Sequence, residues 1–123
     1  MEEEILGLNR QEHQIGPYDI KYGRHRDAFN NVGNRRFRIT ISLNIERYLA
    51  ASTRREKAEV IGSIIELVEG NGGCFLKWSV QRQDWIALNS KQARAKVGHA
   101  MRDMITARDS YSCRKWCSLF CRI

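Results

Sequence analysis

The chain has 123 residues, 42% of them hydrophobic and 28% charged, with a single Pro and 9 Gly. That composition suits one domain with one core, and it excludes a multidomain enzyme or a low-complexity chain. No stretch nears the roughly 18 consecutive apolar residues of a membrane span, and Met1-Glu2-Glu3-Glu4 is acidic where a secretion signal is basic and then apolar. The expectation is a soluble protein inside the cell, with no membrane partner.

Lys and Arg number 21 against 14 Asp and Glu, a formal charge of +7. Residues 1–20 hold one basic and five acidic side chains, residues 21–57 ten and three, residues 58–90 two and four, and residues 91–123 eight and two. Two basic blocks thus flank a mildly acidic middle. If the fold brings them together they form one positive face suited to a polyanion; otherwise they are a solvated basic surface.

In chain order, residues 1–17 are polar and acidic apart from Ile5, Leu6 and Leu8, and read as a mobile acidic arm or a short capping helix. From Asp19 to Asn34 a short apolar start runs into Gly23, followed by Asn30, Asn31, Gly33 and Asn34, which predicts a structured loop. Phe37, Ile39, Ile41, Leu43 and Ile45 alternate with polar residues as in a strand, while Phe37, Ile41, Ile45, Tyr48 and Leu49 also fit helical spacing. One helix over about 35–51 needs fewer assumptions than a strand fused to a helix. Thr53-Arg54-Arg55-Glu56 is a capping box that opens a helix over 54–69, with Val60, Ile61, Ile64, Ile65, Leu67 and Val68 as its apolar stripe and Gly70 as its left-handed stop.

Beyond Gly72-Gly73, the runs 74–80 and 84–88 alternate about the polar Gln81-Arg82-Gln83 and predict a hairpin. Asn89 or Ser90 caps a third helix whose Ala93, Val97, Ala100, Met101, Met104 and Ile105 face the core, with Lys91, Lys96, His99, Arg102 and Thr106 on the other side. Residues 110–123 form a tail carrying Cys113, Cys117 and Cys121 with Trp116 and Phe120. The predicted class is α+β: a single domain over 18–109 of two helices, a β-hairpin and a third helix, winged-helix-like without the usual order of elements.

The succession Asp19-Ile20, Gly23-Arg24, Asn30, Gly33-Asn34, Phe37-Arg38, Tyr48, Ile61, Ile65, Gly72-Gly73, Phe75-Leu76, Trp85, Ala93 and Lys96 resembles domain-of-unknown-function family number 6824, a small domain expanded in diatoms and related algae. The resemblance covers about residues 18–108, and its most specific part is Gly-Arg, then Gly-Asn-x-x-Phe-Arg, then Gly-Gly-x-Phe-Leu. It implies a helix over 35–51 and no established activity. The chain departs from the pattern at His25, where a further Gly is usual, at Asn31, where His is usual, and at Cys74, where Arg is common.

Functionally, the chain reads as a non-catalytic basic binding module with a regulatory role, contacting the phosphate backbone of nucleic acid, DNA before RNA, and hence nuclear. The candidate residues are Arg24, Arg26, Arg35, Arg36, Arg38, Lys77, Lys91, Arg94, Lys96 and Arg102. The arginines around Gly33-Asn34 either line an anion pocket at a helix start or are solvated beside a capping turn. Trp78 and Trp85 read as hairpin anchors rather than stacking platforms. The alternative is a protein-interaction or oligomerisation module using the acidic arm and the apolar tail.

No cofactor is expected. The three tail cysteines, four apart, lack the usual zinc-pair spacing and a defined fourth ligand, which only Cys74 or a His could supply. His13, His25 and His99 lie in separate segments, and no Ser or Cys has a recognisable base beside it. Phe120 stands where a prenylation box needs Cys.

Overall fold

The computed structural model describes residues 10–11, 14–23 and 30–121, with side chains described as far as residue 110. Along it run β1 (Ile20–Tyr22), α1 (Val32–Leu43), α2 (Ile45–Ala50), α3 (Arg54–Gly70), β2 (Phe75–Ser79), β3 (Asp84–Ala87) and α4 (Ser90–Cys121). The class is α+β as predicted, built among the described residues from four helices and a three-stranded mixed sheet where three helices and a two-stranded hairpin were expected.

The added strand is β1, in a segment expected to be loop. It lies parallel to β2, with Ile20 opposite Phe75 and Tyr22 opposite Lys77, while β2 and β3 form the predicted antiparallel hairpin. Three residues are too few to show a period of two, and their partner lies more than fifty positions away, so no local signal announces them.

β1 is an edge strand, and an unpaired edge leaves backbone groups unsatisfied. α1 closes it. The Lys21 N–H donates to Asn34 Oδ1 and the Asn34 Nδ2 donates back to the Lys21 carbonyl, both at 2.8 Å. Asn31 Nδ2 donates to the Asp19 carbonyl at 2.7 Å and to Asn34 Oδ1 at 2.8 Å. Gly33 permits this approach, because a Cβ there would collide with the Asp19 carbonyl oxygen; from the other side, a Cβ at Gly73 would collide with that of Tyr18. Gly33-Asn34 therefore sits inside the first turn of α1 and grips a strand, rather than forming the capping turn expected.

The ambiguous run over 37–45 is helical. Phe37, Ile41 and Ile45 are buried, whereas Ile39 is 59% and Leu43 77% exposed, so every second member of the alternating series points outward. The single helix expected over 35–51 is interrupted at Asn44. Its Nδ2 donates to the Thr40 carbonyl at 2.8 Å, the acceptor its own N–H would use in a continuous helix, and that N–H turns to the Ile41 carbonyl at 3.0 Å.

α3 begins as predicted, with Thr53 Oγ1 accepting from the Glu56 N–H at 3.1 Å. At its other end Gly72, and not Gly70, takes the left-handed conformation, with φ +81°. α4 starts with a second reciprocal cap, in which Asn89 Oδ1 accepts from the Gln92 N–H at 2.8 Å and Gln92 Oε1 from the Asn89 N–H at 3.0 Å. One core joins the elements: Ile41, Ile64, Val97 and Met101 are almost wholly buried, and Phe37 meets Phe75 edge-on at 5.8 Å.

The far face of the sheet carries Leu76 and Trp85, both buried, with Trp78 set edge-on against Trp85 at 5.5 Å. Arg10, within the segment expected as an arm, pairs with the outer edge of β3: its N–H donates to the Trp85 carbonyl at 2.8 Å, and its carbonyl accepts from the Trp85 N–H at 2.9 Å. Its Nε stands 3.5 Å from Oδ2 of the buried Asp19, which also accepts from the Gly16 N–H at 2.8 Å.

Asn34→Ala would strand the N–H and C=O of the buried Lys21, and at about 1–3 kcal/mol per unsatisfied group the expected loss of unfolding free energy is about 2–4 kcal/mol. Urea denaturation followed by circular dichroism measures it. Gly33→Ala should lose at least as much, and a loss below about 0.5 kcal/mol in both variants, the ordinary surface range, would show that the clamp carries no load.

Candidate polyanion-binding groove

An open groove of about 570 Å³ runs between the end of α2, the first half of α3 and the second to fourth turns of α4. Ala58, Ile61 and Ala95 supply apolar surface; Arg54, Lys57, Arg94 and Arg102 supply four cations, and among the described residues no carboxylate lines it. Lys57 is fixed, its Nζ donating to the Tyr48 carbonyl at 2.9 Å and lying 4.6 Å from the centre of the Tyr48 ring. Positions 94, 98 and 102 fall four apart on one stripe of α4. Glycine in that stripe makes room: the Arg102 Nη1 lies 3.3 Å from where a Cβ of Gly98 would stand, and the Arg94 Nη2 lies 3.6 Å from that of Gly62 on α3.

Of the predicted cations, Arg94 and Arg102 meet in this groove. Lys91 is exposed on the same stripe, one turn before Arg94. Lys96 lies on the opposite flank of α4, with Nζ 5.6 Å from the centre of the Tyr22 ring. Arg36 stacks on Tyr18 at 4.4 Å and donates to the Pro17 carbonyl at 3.4 Å. Arg35 is exposed on α1, Arg38 is half-buried one turn beyond Asn34, and Lys77 is exposed on β2. Arg24 and Arg26 lie outside the described residues. The two basic blocks therefore do contribute to a common surface, but through Arg54 and Lys57, which sequence reasoning treated only as the start of a helix. The signal for them was present in the run Arg54-Arg55-x-Lys57; what was missing was which helix packs beside it.

Other chemistry-bearing residues are less well placed. Cys74 is half-buried, and burial pushes its thiol up, with lesser opposing help from Arg10, away from the reactive thiolate. The His99 Nδ1 lies 2.8 Å from the Ala95 carbonyl of its own helix. The Tyr22 hydroxyl has no hydrogen-bond partner among the described residues, and burial pushes its pKa up. Trp85 is buried and unavailable for base stacking. Among the described residues no three His, Cys, Asp or Glu gather as metal ligands, and no helix is long and apolar enough to cross a membrane. The side chains of Cys113, Cys117 and Cys121, and His13 and His25 altogether, lie outside the described residues.

At the mouth of the groove, Glu56 Oε1 accepts from the hydroxyls of Ser52 at 2.9 Å and Thr53 at 3.0 Å. These two bonds, ahead of weaker backbone ones, hold the carboxyl below its ordinary 4.5. A carboxyl with a lowered folded value adds stability above its unfolded value and loses it as pH falls through the folded one. Carboxyl-carbon NMR should give a Glu56 midpoint below 4.5, moving back toward 4.5 in Ser52→Ala and Thr53→Ala. A midpoint at 4.5 in the unaltered chain would refute the network.

No curated protein and no solved structure matches the chain. A family model described as a domain of unknown function, DUF6824, matches residues 19–103. That span opens at the aspartate leading into β1 and closes just after Arg102, so it holds the Gly33-Asn34 clamp, the hairpin and every cation of the groove: the chain belongs to the DUF6824 family.

Proposed function

We propose that this domain binds the phosphate backbone of a nucleic acid, DNA in the first instance, in a regulatory and non-catalytic role. The observation that carries the reading is the convergence of Arg54, Lys57, Arg94 and Arg102 on one solvent-open groove with no carboxylate in its lining among the described residues. Guanidinium groups pair with phosphate oxygens through two parallel N–H bonds, and a row of cations from two helices matches a repeating charge better than a single one. Lys91 extends the row along α4. Lys96, Arg36 and Lys77 belong to other flanks and take no part. A nuclear location follows from this reading, and the winged-helix-like comparison belongs to it as well: the hairpin β2–β3 following α3 would stand beside the groove helix as a wing. The algal setting rests on the family resemblance alone.

A second reading is a protein-interaction or oligomerisation module. It is favoured by Val32, Ile39 and Leu43, which are 39%, 59% and 77% exposed and spaced seven and four apart along one side of α1.

Fluorescence anisotropy with duplex DNA, single-stranded RNA and heparin at low and moderate salt separates the two. The groove reading expects duplex affinity to fall linearly on a log–log plot against salt, with a slope of about −0.9 per phosphate engaged. Arg94→Ala with Arg102→Ala should flatten that slope by about two, while Leu43→Glu leaves it unchanged. Indifference to all three ligands, or equal affinity for them, would end the nucleic-acid reading.

A further inference from the structure

We infer that the α3–α4 groove takes a single strand of nucleic acid in preference to a duplex, with bases lying on its apolar lining and phosphates held by its cations. The inference rests on the groove reading above and narrows it to one class of ligand.

The first argument is the character of the lining. Ile61 is buried at the base of the groove, and Ala58 and Ala95, both exposed, present only methyl groups to it. The long side chains beside them are drawn aside. Lys57 turns to the carbonyl and ring of Tyr48. Arg102 lies back along its own helix, with Nη1, Nη2 and Cζ at 3.3, 3.7 and 3.8 Å from where a Cβ of Gly98 would stand. Arg94 reaches across to α3, with Nη2 and Nη1 at 3.6 and 3.7 Å from the corresponding point at Gly62. The result is an uncharged strip of lining with cations held around it.

The second argument is what each ligand can set against that strip. A duplex keeps its base faces stacked inside and offers a protein phosphates, sugars and base edges. Phosphates satisfy the four cations but leave the methyl groups facing polar atoms, and apolar surface gains only where it meets more of its kind. A single strand supplies both partners, because its unstacked bases expose flat apolar faces that also stack on guanidinium planes. The dimensions agree: about 570 Å³ lies within the roughly 300–1,000 Å³ of sites that enclose a small ligand, so the groove has room for a base and its sugar. Positions 94 and 102 are separated by about 12 Å of helix rise, so the two arginines meet successive phosphates rather than one.

The test uses the full chain and fluorescent probes of about twelve nucleotides, within the site sizes of small single-strand binders. The probes are oligothymidine, an abasic strand with the same phosphates and no bases, and a DNA duplex of equal phosphate number. At moderate salt oligothymidine should bind about 5-fold or more tightly than either of the others, the lower end of what one stacked base contributes. Ala58→Gln with Ala95→Gln, neutral changes at exposed helical positions, fills the strip; it should bring oligothymidine down to the affinity of the abasic strand and leave abasic and duplex affinities unchanged. An oligouridine arm identifies the sugar: tighter binding there names RNA and upholds the inference equally. Oligothymidine no tighter than the abasic strand, or a duplex bound as well as the single strand, overturns the inference while the nucleic-acid reading stands. Indifference to every probe removes both, so the two failures are distinguishable.

Discussion

The position of every other element follows from how the short strand β1 is held. Alone it would be three residues at the rim of a sheet, hydrogen-bonded on one side and open on the other. The Asn34 amide supplies the missing side by presenting an acceptor and a donor to the two backbone groups of Lys21, as another strand would. Gly33 and Gly73 let the α1 and β2 ends press against the backbone of residues 18 and 19 from opposite directions. The consequence is a fixed angle between α1 and the sheet, on which Phe37 meets Phe75 and Ile41 enters the core beside α3 and α4. The spacing between α3 and α4, which defines the groove, is set against that core.

The elements legible in the sequence are those whose signals are local. α3 carries a capping box and a stripe with helical spacing, the hairpin has two alternating runs around a polar turn, and α4 has its own cap and apolar face. What escaped detection depends on distant partners. β1 is defined by residues 75–77, the break at Asn44 by a side chain competing for one helical carbonyl, and the role of Asn34 by a strand thirteen positions upstream. The candidate site divides the same way. Arg94 and Arg102 were visible on the flank of a predicted helix; Arg54 and Lys57 became part of the same surface only through the packing of α3 against α4, which periodicity cannot report.

The signature residues that carry the family likeness turn out to be architectural. Gly33, Asn34 and Gly73 hold the β1 entry, and Phe37, Phe75 and Ala93 fill the core, so they explain how the domain stands without indicating what it binds. Asn31, which departs from the pattern, is occupied in the same clamp. Charge is the more informative property, because α4 distributes it unequally: Arg94 and Arg102 lie toward α3, and Lys96 lies over Tyr22. A ligand that senses this molecule electrostatically meets a lined trough on one flank and a cation resting on an aromatic ring on the other.

α4 runs for 32 residues, about 48 Å of continuous helix. Its core contacts end near Ile105, and the ion pair from Arg108 Nη1 to Glu46 Oε1, at 2.6 Å, moors it to α2 a single turn later. Past that mooring the helix is a stiff spar sharing one axis with the arginines of the groove. Whatever grasps its distal end acquires a fixed bearing on the trough, since one rigid axis carries both.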